Sequence, residues 1–516
     1  MATLGLFATP PTAGRVAGMV VAHQRRISPD PLPPMNRTRR LLCSSLAMAA
    51  VPVGLAPRAQ ARVLTRERLP AAVAQALAQA RIPASACSFI VQPLGHVEPG
   101  LAFNTTQPMN PASLMKLVPT YVALNLLGPA YRWKTPVYTV GPLQGGVLSG
   151  DLAFVGSGDP HLMADNLWSL AQRLRDLGLR RIDGNVLIDR SAFDLPPHDR
   201  AAFDGDTLAP YNVGPNAFLL NFGAMRLSFQ PEPQRGQVGI AVEPPLAGFH
   251  VAQRPRLDGV ACGAWKDRLR ANFEQPLAPA FTGQYSPQCG EQTWNIAAPM
   301  PADAFVQGIL AALFAQVGIA WNGQVVSGRL PPTATLLTAW ESEPLAVIVR
   351  DINKYSNNVM AQQVFLTLAL QTYGPPADFA KAAQAANQWL DAHQLAMPGL
   401  VLDNGCGLSR IARISADDIN RLLRAAWASA VMPEFIASLP LAGEDGTLKR
   451  HYDGRPEAGL IHAKTGSLRN VLSLAGYVQS PTTGRRSTVV ALINDPRAAG
   501  GWGTIKALLD EALRSA

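Results

Sequence analysis

The sequence predicts an α+β protein whose helical and β-rich regions occupy different parts of the chain. Helical periodicity dominates after residue 343, and the chain closes with two buried-looking strands, 471–478 and 488–494. Residues 133–332 instead carry short alternating runs separated by Pro- and Gly-rich turns. Because 516 residues exceed the usual size of one domain, we expect about two to four domains.

The N-terminal region has the pattern of a secretory signal. Three arginines at positions 37–40 precede a mostly apolar stretch, 41–55, and Ala59-Gln60-Ala61 follows as a small-x-small cleavage site. We therefore expect residues 1–61 to be a signal peptide, with Met35 as an alternative start, and the mature protein to be periplasmic. An uncleaved membrane anchor is the alternative.

The charge of the chain resides mostly in this leader. Its seven arginines and one aspartate contribute six of the nine formal positive charges, which leaves the mature chain at +3. The sequence therefore does not indicate a nucleic-acid partner.

Four cysteines remain after the leader: Cys87, Cys262, Cys289 and Cys406. A Cys262–Cys289 disulfide would stabilise the fold by about 3 kcal/mol, but four cysteines allow three pairings and the sequence does not choose among them. No His/Cys cluster has metal-ligand spacing, so we expect no metal and no cofactor.

The first elements surround a serine. A helix is predicted over 69–80, followed by strands over 86–92 and 100–104 and a helix that begins near Ser113. Pro119 removes a backbone donor from that helix, so we expect a kink or a tight first turn just after Lys116.

The later elements follow the same reasoning. Residues 135–333 are predicted to be β-rich, in one or two modules, with strands such as 184–189 and 237–242 and one clear helix over 303–317. Four helices are then predicted over 345–354, 357–373, 378–393 and after a cap at Ser415, and a last helix contains Ile505 and Leu509.

Ser113 and Lys116 form a Ser-x-x-Lys pattern. Residues three apart on a helix share one face, so the amine and the hydroxyl lie within reach of each other. A neutral lysine then takes the serine proton, and the oxygen becomes a nucleophile. The pattern alone is common by chance.

Two more patterns occur downstream of Ser113 and Lys116. Ser356-Asn357-Asn358 lies between two predicted helices, and Lys464-Thr465-Gly466-Ser467 directly precedes the predicted strand 471–478. Ser-x-x-Lys, Ser-x-Asn and Lys-Thr-Gly together match the set found in penicillin-binding proteins and active-site-serine β-lactamases.

The chain resembles the D-alanyl-D-alanine carboxypeptidase/endopeptidases of the low-molecular-mass class C penicillin-binding proteins, peptidase family S13. The resemblance rests on the three patterns and on four further stretches: 158–160, 183–189, 403–410 and 439–443. It implies a transpeptidase fold, an antiparallel sheet with helices, built from 62–134 and 334–516 and interrupted by the insertion 135–333.

The resemblance also implies catalytic roles. Ser113 forms the acyl-enzyme, and Lys116 is the base, its pKa lowered by partial burial and by a nearby Lys464 ammonium. Ser356 relays the proton to the leaving amine, and Asn358 holds Lys116.

Substrate-binding roles follow in the same way. Lys464 and Thr465 would bind the terminal carboxylate, Gly466 would leave room for the substrate, and the backbone N–H groups of Ser113 and Ser467 would form the oxyanion hole.

The remaining positions match the family less closely. Arg410 and Asp206 are the candidates for recognising a diaminopimelate side chain, and Asp159 is interpreted as a structural turn residue. Cys406 stands where the family usually has serine, either as a free thiol or paired with Cys87.

We therefore expect an exported serine DD-peptidase that acts on peptidoglycan stem peptides, as carboxypeptidase or endopeptidase or both, with β-lactams as covalent inhibitors. The alternatives are a serine β-lactamase-like hydrolase and a non-catalytic β-lactam-binding cell-wall scaffold. No carboxylate in the sequence is placed as the deacylating base of an ordinary β-lactamase.

Overall fold

The computed structural model describes residues 69–515, so the predicted signal peptide lies outside the described residues. The first elements are α1 (Ala71–Ala80), β1 (Cys87–Pro93), β2 (Leu101–Phe103), a 3₁₀ turn (Ala112–Lys116) and α2 (Leu117–Leu126). Pro119 is the third residue of α2, where a backbone N–H has no acceptor inside the α-helix. The tight turn was predicted just after Lys116, whereas the structure has it just before, as the 3₁₀ turn that ends at Lys116.

Between residues 134 and 341 the chain is rich in short strands, as predicted, and also contains two helices. In chain order these elements are β3 (Lys134–Val140), β4 (Leu143–Gln144), β5 (Val147–Leu148), β6 (Asp151–Val155), α3 (Ala164–Asp176), β7 (Arg181–Ile182), β8 (Val186–Asp189), β9 (Ala224–Glu232), β10 (Gln237–Glu243), β11 (Arg256–Leu257), β12 (Leu269–Asn272), β13 (Ala280–Tyr285), β14 (Gln292–Ala297), α4 (Ala302–Val317), β15 (Ala320–Trp321), β16 (Val325–Ser327) and β17 (Thr335–Glu341).

These strands form three sheets. Their orders are β12-β13-β11-β10-β9-β14, β15-β7-β5-β4 and β16-β8-β6-β3-β17. In the last sheet β17 pairs with β3, so the first and last strands of this region are neighbours. The domain boundaries at 134 and 333 stay a prediction, and β17 lies after the second of them.

The rest of the chain is mainly helical, followed by three consecutive antiparallel strands and a last helix. Its elements are α5 (Leu345–Tyr355), α6 (Asn358–Tyr373), α7 (Phe379–Ala392), α8 (Ala416–Ala428), α9 (Met432–Ser438), β18 (Ile461–Leu468), β19 (Val471–Gln479), β20 (Arg486–Asn494) and α10 (Trp502–Ser515). Ser415 caps α8 as predicted, since its Oγ accepts a hydrogen bond from the Asp418 N–H at 3.0 Å.

A fourth sheet joins the two ends of the described chain. Its order is β18-β19-β20-β1-β2, with every neighbouring pair antiparallel. One face packs on α1 and α10, and the other belongs to a core shared with α2 and with α5 to α9. Because β19 and β20 are buried on both faces, they are nearly continuous apolar runs rather than alternating ones.

The Lys-Thr-Gly pattern requires a correction. The sequence places it before a strand, whereas residues 464–467 lie inside β18, at one edge of this sheet. The sequence of these residues does not show the alternation typical of a strand. An edge strand beside a functional site is not required to alternate apolar and polar residues.

The cysteines form one disulfide and two free thiols. Cys262 and Cys289 form a disulfide that closes the loop of chain between them. Cys87 and Cys406 are buried free thiols, so they do not pair with each other. None of the helices within 69–515 is long and apolar enough to cross a membrane.

Candidate active site

The 3₁₀ turn Ala112–Lys116 contains the predicted nucleophile Ser113, and we call it the nucleophile turn. It is held by close contacts on both sides. Ala112 adopts a left-handed φ of 49°, and its N–H donates to Asn110 Oδ1 at 2.9 Å. On the other side Gly407 approaches so closely that a Cβ there would lie 1.9 Å from Ala112 O. The position of Ser113, at the start of this turn, is therefore fixed by backbone packing.

Lys116 is completely buried beneath Ser113. Its Nζ lies 3.1 Å from Ser113 Oγ, 2.7 Å from Asn358 Oδ1 and 2.6 Å from the carbonyl oxygen of Cys406. All three partners are uncharged groups in their ordinary state, so they offset little of the cost of burying an ammonium. Burial accordingly lowers the pKa of Lys116 to about 8.

A second buried lysine lies on the opposite side of the site. Lys464 Nζ donates to Ser356 Oγ and to the carbonyl of Thr465, each at 2.8 Å. Burial and repulsion from Lys116 hold the pKa of Lys464 well below its usual value. Burial, which is complete rather than partial as we expected, is the largest cause of the lowered pKa of Lys116, and repulsion between the two lysines disfavours both being charged.

The break between α5 and α6 directs two side chains to the two lysines. Ser356 ends α5 with a left-handed φ of 58°, and Asn357 caps α6 by accepting from the Met360 N–H at 3.1 Å. Ser356 thereby meets Lys464, and Asn358 meets Lys116. The Ser-x-Asn pattern thus joins the other two patterns in one site.

β18 forms one wall of this site. A Cβ at Gly466 would lie 2.9 Å from Ser113 N and 2.8 Å from Pro111 O, so only glycine allows this approach to the nucleophile turn. Thr465 Oγ1 lies 2.7 Å from Thr447 Oγ1, and Ser467 is exposed beside them. As an edge strand, β18 presents peptide groups that an extended ligand can pair with.

The two weaker candidates are not brought together in the way the sequence suggested. Arg410 is exposed, stacks at 4.1 Å on the ring of Phe203 and lines a cavity of about 350 Å³. Asp206 instead accepts hydrogen bonds within its own loop, from the N–H groups of Leu208 and Ala209 at 3.0 and 3.1 Å.

Several site groups were missed by sequence reasoning. Asp199, a few residues before Asp206, lines the cavity with Arg410, and so does Asp403 in the stretch 403–410. Backbone carbonyls contact the catalytic groups as well, that of Cys406 at Lys116 and that of Tyr211 at Asn358 Nδ2, at 3.0 Å. A carbonyl contact leaves no signal in residue type, whereas Asp199 was available as a second acid in the same segment.

Chemically, the arrangement provides a hydroxyl beside a lysine that is readily neutral, and a second cationic group beside another hydroxyl. A serine activated in this way attacks a carbonyl carbon. The nearby side chains include no set of three His, Cys, Asp or Glu residues able to hold a metal ion, within the part of the chain that the structure describes.

Comparison with known proteins leads to the same family that the sequence patterns resemble. Residues 69–511 match the model of the D-Ala-D-Ala carboxypeptidase 3 (S13) family. The chain is 25% identical over 412 residues to the D-alanyl-D-alanine carboxypeptidase DacB of Haemophilus influenzae, covering 76% of this chain and 82% of that one. It is 28% identical over 394 residues to a D-alanyl-D-alanine carboxypeptidase of Actinomadura sp. strain R39, covering 72% and 71% of the two chains.

The fold has solved counterparts too. The crystal structure of penicillin binding protein 4 from Haemophilus influenzae superposes with a TM-score of 0.69 at 24% identity, covering 86% of this chain and 99% of that one. With a family model that spans nearly all of the described residues, the chain belongs to the D-Ala-D-Ala carboxypeptidase 3 (S13) family of serine peptidases.

Proposed function

We propose that this protein is a DD-peptidase that acts on peptidoglycan stem peptides through an acyl-enzyme on Ser113. It removes the terminal D-alanine, or cleaves the bond between D-alanine and diaminopimelate, or does both. The observation that carries the proposal is the 3.1 Å contact between Ser113 Oγ and the buried amine of Lys116. Burial favours the neutral amine, which is the form that accepts a proton.

In the first step the neutral Lys116 takes the hydroxyl proton while Ser113 Oγ bonds to the carbonyl carbon of the penultimate D-alanine. The backbone N–H groups of Ser113 and Ser467 would face the developing oxyanion, and each such donor is worth about 3 kcal/mol of barrier elsewhere. Gly466 contributes by allowing β18 to lie against the nucleophile turn.

Departure of the terminal D-alanine requires a proton on its amine. Ser356 supplies it in our proposal, since its hydroxyl contacts Lys464 Nζ at 2.8 Å and so connects to a group that can replenish the proton. Water then hydrolyses the acyl-enzyme and regenerates Ser113. The protons balance because Lys464, through Ser356, takes up the proton released by the attacking water, while Lys116 returns its proton to Ser113 Oγ as the ester bond breaks.

The substrate carboxylate is assigned to Lys464, Thr465 and the neighbouring Thr447. A carboxylate there would supply the counter-charge that both buried lysines lack, and would favour the protonated form of Lys464. The extended peptide would lie along the edge of β18 beyond Ala463, since the residues before it pair with the segment 440–442.

The cavity beside Arg410 is assigned to the side chain of the residue before the penultimate D-alanine. Arg410 lines it together with the carboxylates of Asp199 and Asp403, and these opposite charges suit the zwitterionic end of diaminopimelate. We propose Asp199 in place of Asp206 as the acid of this cavity.

We also propose export to the periplasm, where peptidoglycan lies, by the signal pattern in residues 1–61. β-Lactams, which resemble the D-Ala-D-Ala end, are proposed to acylate Ser113 in the same way. Nothing in the site favours a nucleic-acid partner.

The test is digestion of purified sacculi by the wild type and by Ser113→Ala, with muropeptide analysis. We expect D-alanine loss and cleaved cross-links with the wild type only. A time course of penicillin adducts by mass spectrometry accompanies it: a long-lived adduct favours the peptidase, rapid turnover a β-lactamase. A wild type that releases no product would refute the proposal.

A further inference from the structure

One backbone carbonyl of the inserted region contacts Asn358. The carbonyl of Tyr211, in the short turn Pro210–Asn212, accepts a hydrogen bond from Asn358 Nδ2 at 3.0 Å. The other end of the same amide, Oδ1, accepts from Lys116 Nζ at 2.7 Å. Because an amide has one donor end and one acceptor end, the Tyr211 carbonyl fixes which end faces Lys116.

This orientation matters for the lone pair of Lys116. A neutral amine has two hydrogens and one lone pair, and Asn358 Oδ1 and the Cys406 carbonyl accept those two hydrogens. The lone pair is then left for the hydroxyl of Ser113. If the amide of Asn358 turned over, its N–H would face Nζ and compete for the lone pair.

The loop that presents Tyr211 is anchored by a buried asparagine. Asn212 Nδ2 donates to Asp204 Oδ1 and to the carbonyl of Asp206, each at 2.8 Å. Asp204 Oδ2 in turn accepts from the hydroxyl of Tyr211 at 2.9 Å. These hydrogen bonds therefore hold the side chains of Tyr211 and Asn212, on both sides of the carbonyl that accepts from Asn358.

The same loop is fastened to its surroundings. The Ala297 N–H, at the end of β14, donates to the carbonyl of Leu208 at 2.7 Å. Val213 shares a buried apolar cluster with Val359, the residue after Asn358. The loop thus has little freedom to move relative to α6.

We propose that Asn212 is a positioning residue: together with Asp204 it holds the loop 204–212 so that the Tyr211 carbonyl keeps the oxygen of Asn358 on Lys116. The inference rests on the proposed function, in which Lys116 is the base. It also gives Asp206 a role, since its hydrogen bonds to Leu208 and Ala209 shape this loop.

The test is the rate of acylation of the full protein by benzylpenicillin across a pH series. In Asn212→Ala we expect the plateau rate to fall about tenfold, the size expected for one lost hydrogen bond at a reacting group. We also expect the acid limb of the profile to move to lower pH, because loss of an acceptor weakens the ammonium form of Lys116 most. A merely structural defect would lower the active fraction without moving the limb.

Asn216→Ala is the matched control. Asn216 also belongs to the inserted region and its backbone contacts Gln363 of α6, but its side chain bonds to Arg190 and the Phe218 N–H instead. We expect the wild-type pH profile for this variant.

A second pair of variants decides the matter if Asn212→Ala does not fold. Asp204→Ala removes the acceptor for Asn212 and should lower the rate and move the limb, whereas Asp204→Asn keeps an acceptor and should restore the wild-type profile. An unchanged profile in Asn212→Ala or Asp204→Ala, or an equal shift in Asn216→Ala, overturns the inference. A wild type that is not acylated on Ser113 refutes the proposed function itself, so the two failures are distinguishable.

Discussion

Replacing Gly407 by alanine should displace the nucleophile turn. A Cβ at Gly407 would lie 1.9 Å from Ala112 O, while ordinary contact begins at 3.4 Å, so the two backbones must separate by about 1.5 Å. Misplacing reacting groups by about 1 Å is expected to cost about 100-fold in rate. We therefore predict that Gly407→Ala reduces the rate of acylation by benzylpenicillin about 100-fold, followed by stopped-flow or intact-mass measurements.

Gly454→Ala is the control for this prediction. Gly454 has a left-handed φ of 66°, close to the 81° of Gly407, but a Cβ there would meet nothing within 4 Å. Both alanines carry the backbone cost of a left-handed residue, about 1 kcal/mol. Only Gly407→Ala adds the collision, so acylation at the wild-type rate in a folded Gly407→Ala protein would refute the packing argument.

Three other predictions concern protonation and stability. The acylation rate should rise with pH through about 8 as Lys116 loses its proton, and Lys116→Arg should abolish acylation at every pH, because arginine stays charged; a flat wild-type profile would contradict the assignment of the base. Burial raises the pKa of Asp159 to about 7 from 3.8 in an unfolded chain, so its contribution to stability is present below about pH 4 and is lost as pH rises to about 7, by about 4 kcal/mol at most. Urea unfolding should show the wild type losing this stability relative to Asp159→Asn, and parallel pH dependences would contradict it. Removal of the Cys262–Cys289 disulfide should lower the free energy of unfolding by about 3 kcal/mol and leave acylation unchanged, whereas a loss of acylation in the folded variant would tie the disulfide to the site.

Much of the fold was predictable where local chemistry decides the structure. The cap at Ser415 and the periodicity of α4 predicted helices that the structure contains. Pro119 predicted a tight turn after Lys116, but it lies in the first turn of α2, where proline is tolerated, and the tight turn precedes it. The three motifs identified the site because each residue type is dictated by the chemistry. β18 was missed because its residues are chosen for the site rather than for an alternating strand pattern.

The rest depends on contacts between distant parts of the chain. The pKa of Lys116 is lowered by burial that no local pattern reveals. Our proposal of Asp199 in place of Asp206 rests on which of them lines the cavity beside Arg410, and that depends on the path of one loop. The carbonyls of Cys406 and Tyr211 act through the backbone, so residue type carries no trace of them.

The central claim is that Ser113 forms an acyl-enzyme with a D-Ala-D-Ala peptide. The most direct measurement is the release of D-alanine from a pentapeptide ending in D-Ala-D-Ala, with the wild type and with Ser113→Ala at equal concentration and with the fold checked by circular dichroism. We expect steady release by the wild type and none above background by the variant. Equal release by both proteins, or none by a folded wild type, would contradict it.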